Sequence, residues 1–333
     1  MKKNGFALDQ RRDLAPVDRS TTSHPLAPYL RVDPEVVAAL CDGTPVVALE
    51  SALITHGFDH PENVAVARST QATIRAAGAV PAIIAIHQGQ VRVGLTDSEL
   101  EHLASDPEVL RASRPTLAYA LNRDGWASTT VSATLIACAA AGIRVFATGG
   151  IGGMHRSSHP QSVNEPASLD VSSDLDELAH SQVAVVCAGP KSILAVAATI
   201  EALETRGVPV VTIGGTQVPG YWSEQSDVVS PISVASVADA ARIANLHLSL
   251  DLGGLLICTP IPAASAIPRD ELERNISTAI ADAESAGVHG PAVTPWVLTH
   301  IAERTSGRTL TATIALVTNS AQVAAELAAR LRG

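Results

Sequence analysis

The residue in this chain best suited to covalent chemistry is a lysine. Lysine and arginine together number 23, yet only three are lysines, and two of those, Lys2 and Lys3, stand at the N-terminus. The third, Lys191, follows the apolar run and turn Val183-Ala-Val-Val-Cys-Ala-Gly-Pro190 and leads into a helical pattern that begins near Ser192. An amine there is expected at a strand end, partly desolvated and beside the positive end of a helix, which favours its nucleophilic form. Such an amine can condense with a carbonyl to a Schiff base, which a guanidinium cannot do. The plainer alternative is a surface lysine at a turn.

A carboxylate is the second candidate. Glu50 closes the apolar run Pro45-Val-Val-Ala-Leu-Glu50, and Thr55-His-Gly57 follows it closely. A glutamate in that position is paired, caps a turn, or is catalytic, and burial would raise its pKa towards that of a useful general acid. The glycine-rich stretch Thr148-Gly-Gly-Ile-Gly-Gly-Met-His-Arg156 is a third. Its backbone N–H groups could approach an anion and Arg156 could add charge, but it is neither GxGxxG nor a P-loop, and a structural turn is the alternative. The fourth is Asp170-Val-Ser-Ser-Asp-Leu-Asp-Glu177. It reads either as a capped helix start, with Ser172 or Ser173 as the cap, or as an oxygen site in which Asp170 or Asp174 holds a hard divalent cation.

These groups need elements to position them. Short β-branched runs predict strands at Val46–Glu50, Val80–His87, Val91–Gly94, Arg144–Thr148, Val183–Cys187, Val208–Ile213 and Gly254–Cys258. Ala-rich helical periods predict helices at Asn63–Ala77, Ser98–Ala104, Thr129–Ala141, Leu175–Ala179, Ser192–Arg206, Ala235–Leu248, Arg269–Ala286, Pro291–Ser306 and Ser320–Arg330. Continuous apolar strands alternating with helices predict a three-layer α/β/α sandwich with a largely parallel central sheet. Residues 1–30 read as a flexible arm and 31–333 as one α/β domain. Ligands of such sheets bind beyond the carboxyl ends of the strands, where Glu50, the glycine-rich stretch and Lys191 all fall.

Composition excludes several classes. The 333 residues are 46% hydrophobic and 17% charged, which describes a packed chain. A net charge of −10 argues against sequence-independent nucleic-acid binding. Cys41, Cys138, Cys187 and Cys258 are widely spaced, so neither a zinc ribbon nor a disulfide framework is expected. The charged N-terminus lacks the apolar core of a secretory signal, and the longest apolar run, around Val131–Ile143, is shorter than a membrane span. The expectation is a cytoplasmic protein with no membrane partner.

Several stretches together resemble the pseudouridine-5'-phosphate glycosidase family, also known from indigoidine gene clusters. They are Ala48-Leu-Glu-Ser51 with Thr55-His-Gly57, Gly78-Ala-Val-Pro-Ala-Ile-Ile-Ala-Ile86, Gly142-Ile-Arg-Val-Phe-Ala-Thr-Gly-Gly-Ile-Gly-Gly153, Asp170 to Leu178, Val186-Cys-Ala-Gly-Pro-Lys-Ser-Ile-Leu194 and Gly287-Val-His-Gly290. The resemblance implies an enzyme that breaks or makes the C–C bond between C5 of uracil and C1' of ribose 5-phosphate. It implies Lys191 as the Schiff-base nucleophile, Glu50 as the proton donor and Asp170 as the ligand of a Mn²⁺-like ion. Ser172, Ser173, Asp174 and Val131 would line the substrate site, with His155 a further pocket residue. A homotrimer is implied as well.

Three positions depart from the family pattern. Arg111 in Arg111-Ala-Ser-Arg114 replaces a substrate-contacting lysine. It can hold a phosphate or a ring oxygen but cannot shuttle a proton at neutral pH. Thr313 in Ala312-Thr-Ile314 replaces the asparagine that reads the uracil edge, and a hydroxyl cannot make that two-sided amide contact. Residues 157–169 form a longer stretch than usual, containing Pro160 and Pro166. Two readings stay open: cleavage or synthesis of pseudouridine 5'-phosphate, or joining ribose 5-phosphate to a non-uracil aromatic acceptor in natural-product biosynthesis.

Overall fold

In the computed structural model, residues 24–156, 171–288 and 293–331 are described. Eleven strands are defined among them: β1 (Leu30–Val32), β2 (Val46–Leu49), β3 (Val80–His87), β4 (Gln90–Val93), β5 (Leu110–Ala112), β6 (Ala127–Thr129), β7 (Val145–Ala147), β8 (Ala184–Cys187), β9 (Val210–Ile213), β10 (Ile232–Val234) and β11 (Leu255–Cys258). The helices are α1 (Pro34–Asp42), α2 (Ala52–His56), α3 (Glu62–Ala76), α4 (Asp97–Ser105), α5 (Leu117–Leu121), α6 (Val131–Ala141), α7 (Ser173–His180), α8 (Val196–Thr205), α9 (Val237–Ser249), α10 (Arg269–Ser285), α11 (Val293–Arg304) and α12 (Arg308–Ala328).

The strands form one sheet in the order β1-β4-β3-β2-β7-β8-β11-β9-β10, with β6 pairing β3 and β5 pairing β6. Only the β3–β4 and β3–β6 pairs are antiparallel. The largely parallel α/β/α expectation is therefore met. Alternation along the strands explains the layers, because successive side chains point to opposite faces. Val46, Ala48, Ala82, Ile84, Val185 and Cys187 pack on one face with residues of α1, α6, α7 and α8. Val47, Leu49, Ile83, Ala85, Ala184 and Val186 pack on the other with α3, α4, α9 and the second half of α12. A third apolar cluster joins α10, α11 and the first half of α12 to Ile193, Leu194, Tyr221 and Trp222, beyond the carboxyl ends of the strands.

Several boundaries differ from expectation. Every seven-strand prediction coincides with an observed strand to within two residues, but the three-residue strands β1, β5, β6 and β10 carry too little pattern to be read. Residues 1–23 of the expected arm lie outside the described residues; its remaining residues belong to the fold, with Leu26 buried and Leu30 opening β1, which pairs β4. The last helix starts at Arg308, not Ser320. Its early threonines look strand-like by propensity, but in the structure Thr313 and Thr318 donate back to the carbonyls of Thr309 and Ile314 at 2.7 and 2.8 Å, within a helix held by packing. The helix expected from Ser192 begins only at Val196. Lys191 to Ala195 instead run beside the glycine-rich stretch: Lys191 N–H donates to the Ile151 carbonyl at 3.2 Å and Ala195 N–H to that of Met154 at 2.9 Å. Lys191 therefore opens a tight turn, in which Leu194 N–H donates to its carbonyl at 2.9 Å, and does not stand in the first turn of α8.

Candidate active site

Sheet register builds the site. Strands β2 and β7 pair with Leu49 opposite Ala147, so the next residues, Glu50 and Thr148, emerge side by side. The Thr148 hydroxyl donates to the Glu50 carboxylate. Below this pair, Ser51 donates to the Ile84 carbonyl at 2.6 Å and accepts from Thr129 N–H at 2.9 Å, which pins the end of β2 to β3 and β6. On the other side of β7, the chains after β7 and β8 continue in parallel. Ala188 N–H donates to the Gly149 carbonyl at 3.0 Å, and Ile151 N–H to that of Gly189 at 3.2 Å. That extension delivers Lys191 to the same opening as Glu50.

Glu50, Lys191 and Arg111 line one cleft with His56, Leu53, Tyr221 and Leu298, about 90 Å³ in volume. A larger groove, lined by Arg114, Ile136, Arg144 and Glu177, lies at the amino end of the strands and holds none of the expected catalytic residues. Burial raises the Glu50 carboxyl above the ordinary carboxylate range, against the opposing pull of Lys191, the Thr148 hydroxyl and Arg111. Burial, with the Arg111 guanidinium, lowers the His56 imidazole. A carboxyl with a raised pKa in the same cleft as an amine is an arrangement able to exchange protons beside a nucleophile.

Val131, Ser172, Ser173 and Asp174 meet beneath the glycine-rich stretch, where the first turns of α6 and α7 converge. Asp174 accepts from the backbone N–H groups of Ser132 and Gly152, both at 2.9 Å, so its two oxygens take the place an anion would hold between two helix starts. Ser172 caps α7 by accepting from Asp174 N–H at 3.2 Å, and the Ser173 hydroxyl lies 3.1 Å from that of Ser132. Val131 is buried at the start of α6. His155 bridges to Leu194 and is not among the residues lining the cleft.

Arg156 is not aimed at a ligand. It donates to the carbonyls of Leu194 and Ser192 at 2.9 and 2.6 Å and to both oxygens of Glu273. The glycines of the stretch serve close packing: a Cβ on Gly150 would lie 2.7 Å from the Tyr221 ring, and one on Gly152 2.4 Å from the Ser172 hydroxyl. Thr313 is buried, donates to the Thr309 carbonyl at 2.7 Å and accepts from Trp222 Nε1 at 2.9 Å.

Tyr221 was missed by sequence reasoning. Its one signal was rarity, since the chain has only three tyrosines. Asp170, the expected metal ligand, and the stretch 157–169 lie outside the described residues. Among the described residues no group of three or more His, Cys, Asp or Glu is placed to hold a metal ion. Each Asp174 oxygen accepts one backbone hydrogen bond. No described helix is long and apolar enough to cross a membrane.

Fold and cleft define an α/β protein with a lysine and a carboxyl in one pocket, and the comparisons make it an enzyme of C-glycosidase type. The family model for indigoidine synthase A like protein matches residues 35–330, so the chain belongs to that family. It is 48% identical over 305 residues to a pseudouridine-5'-phosphate glycosidase from Solibacter usitatus, covering 91% of this chain and 100% of that protein. It is also 48% identical over 307 residues to one from Methylobacterium nodulans, covering 92% of this chain and 89% of that protein. Among solved structures it resembles the prealnumycin C-glycosynthase AlnA in complex with ribulose 5-phosphate, at a TM-score of 0.82 and 35% identity, over 91% of this chain and 96% of that one. An indigoidine synthase A-like protein from Thermotoga maritima superposes at a TM-score of 0.79 and 31% identity, over 90% and 95% of the two chains.

Proposed function

We propose that this enzyme makes and breaks the C-glycosidic bond at C1' of ribose 5-phosphate through a Schiff base on Lys191, interconverting pseudouridine 5'-phosphate and water with uracil and ribose 5-phosphate. The observation that carries this reading is that Lys191 and a carboxyl held above its ordinary pKa, Glu50, line one cleft.

In the synthetic direction, the Lys191 amine condenses with the open-chain aldehyde and releases water. The resulting iminium makes C1' electrophilic. A carbon of the acceptor ring attacks it, and the proton lost from that carbon passes to the Glu50 carboxylate. The sugar's O4' hydroxyl then closes on C1' as the lysine amine leaves. In cleavage the steps reverse, and Glu50 returns the proton to the ring carbon. That protonation is essential, because a C–C bond has no heteroatom leaving group: the proton takes up the bonding pair at the ring carbon while the lysine nitrogen's lone pair forms the iminium at C1'. Thr148 orients the carboxyl, and Arg111 is the cation at the cleft suited to the phosphate. A divalent ion such as Mn²⁺ at Asp170, a homotrimeric assembly and action in the cytoplasm belong to the same proposal. A dialysis series with a chelator tests the first, and light scattering the second.

A second reading replaces uracil with another aromatic acceptor, making the enzyme a C-glycosynthase. It is favoured by Thr313, whose hydroxyl is engaged within the protein, and by the likeness to a solved C-glycosynthase.

One experiment addresses both. The protein is mixed with ribose 5-phosphate, uracil and Mn²⁺, with and without borohydride, and followed by mass spectrometry and chromatography. Formation of pseudouridine 5'-phosphate supports the first reading. A borohydride-fixed sugar on Lys191 without that product supports the second. Neither product nor adduct overturns both.

A further inference from the structure

Strand β3 changes partners just where Glu50 leaves the sheet. Its last residue paired to β2 is Ile83, opposite Leu49, and its first paired to β6 is Ala85, opposite Ser128. Ile84 stands at the handover. Its carbonyl accepts two side-chain hydroxyls there, from Ser51 at 2.6 Å and from Thr129 at 2.7 Å.

Ser51 follows Glu50 directly and stands at the N-cap of α2, the helix that brings Leu53 and His56 to the cleft. A serine at an N-cap ordinarily accepts from an N–H of its own helix. Ser51 makes no such bond. Its hydroxyl is turned back into the sheet, where it accepts from Thr129 N–H at 2.9 Å. Thr134 of α6 in turn donates to the Thr129 hydroxyl at 2.9 Å. Every hydroxyl hydrogen in this set has an acceptor, and Ser51, Thr129 and Thr134 are all buried. A buried network satisfied in this way is rigid, and removing one member leaves a partner without its bond.

We propose that Ser51 is a positioning residue for proton exchange at carbon: with Thr129 and Thr134 it locks the joint between β2 and α2, and so fixes where the Glu50 carboxyl stands in the cleft. Lys191 is braced by different contacts, those of its own chain with the glycine-rich stretch and those of Arg156 with its loop. Capture of the sugar carbonyl and proton exchange at the ring carbon therefore have separate supports. This inference rests on the assignment of Glu50 to that proton exchange.

A double-mutant cycle tests it, because residues that act through one another are not additive. The parent, Ser51→Ala, Glu50→Gln and the double variant are compared in cleavage of pseudouridine 5'-phosphate and in thermal melting. Lys191, Arg111 and Asp174, the charged groups that act on Glu50, are the same in all four. Ser51→Ala should lower kcat about 10- to 100-fold with KM within about twofold, the effect of a misplaced reacting group. In the Glu50→Gln background the same change should cost less than about twofold. Borohydride trapping of ribose 5-phosphate on Lys191 should stay within about twofold of the parent. The rise in melting temperature that Glu50→Gln produces at neutral pH should be at least halved in the Ser51→Ala background. That comparison needs no substrate, and it decides the matter if the parent does not cleave pseudouridine 5'-phosphate. Thr134→Val, which removes only the outermost hydroxyl, should show the same pattern at a severalfold loss, and it carries the test if Ser51→Ala does not fold. Additive losses of kcat, a trapping rate that falls as far as kcat, or an equal melting rise in both backgrounds overturns the proposal. Failure of trapping on the parent overturns the Schiff-base reading instead and leaves the melting cycle to judge Ser51.

Discussion

The Arg156 guanidinium donates to the Ser192 carbonyl at 2.6 Å, one residue beyond Lys191. Its remaining donors reach the Leu194 carbonyl and the two oxygens of Glu273 on α10. One side chain thus braces the lysine's loop against the helical cluster over the strand ends. A planar fork suits this task and an ammonium does not. Arg156→Gln is expected to slow Schiff-base formation about 10- to 100-fold with little change in the KM for the sugar, since a misplaced nucleophile affects kcat first. Borohydride-trapping rates measure it. A rise in KM alone would mean that Arg156 binds the phosphate instead.

Lys191→Ala should lose turnover in both directions by at least about 10³-fold while melting close to the parent, because the side chain lines an open cleft and carries no core packing. Intact-mass analysis after borohydride should show the sugar adduct on the parent and none on the variant. An adduct on the variant would place the nucleophile elsewhere.

Glu50 gives a pH signature. Its native pKa is raised, chiefly by burial, so the folded chain binds this proton more readily than the unfolded chain. The stability it contributes is complete below the ordinary glutamate value and is lost as pH rises through the raised native value. Glu50→Gln should therefore melt above the parent at neutral pH, with the gap closing as the solution is acidified. In the cleavage direction the parent's rate should fall as pH rises through the same raised value. The variant should lack that limb and be slower by about 10² to 10⁴. A melting difference independent of pH would count against the assignment.

Gly150→Ala places a methyl 2.7 Å from both the Gly189 carbonyl and the Tyr221 ring. Backbone cannot yield there, so the ring must shift. Loss of about 1–3 kcal/mol in denaturant unfolding is expected, with weaker substrate binding in the cleft that Tyr221 lines. A neutral result would show that Tyr221 is free to move.

Thr313→Asn supplies an amide whose carbonyl can accept from Trp222 Nε1 while its NH₂ remains able to donate. Uracil use should rise relative to other aromatic acceptors, measured as the ratio of kcat/KM for the two. No change in that ratio would remove position 313 from acceptor choice.

The strand ends were legible because continuous apolar runs of four to eight residues leave little else to be, and Glu50 and Lys191 stand just past two of them. What could not be read was what those residues touch. Arg156 looked like an anion ligand, but its partner Glu273 lies 117 positions away. Lys191 looked like the start of a helix, because the apolar period of α8 extends back through Ile193 and Leu194. Those two residues instead join the cluster with Tyr221 and Trp222. Tyr221 sits in a segment between β9 and β10 with no period, and only the fold brings it to Lys191.

Met154 bridges to Val171, and Ser172 N–H donates to the Gly153 carbonyl at 3.0 Å. The chain between therefore leaves and re-enters the framework at one place, closed at its base. Loop-closure cost grows only with the logarithm of length. The number of residues between Arg156 and Asp170 can accordingly vary at little cost to the frame that aligns Glu50 with Lys191.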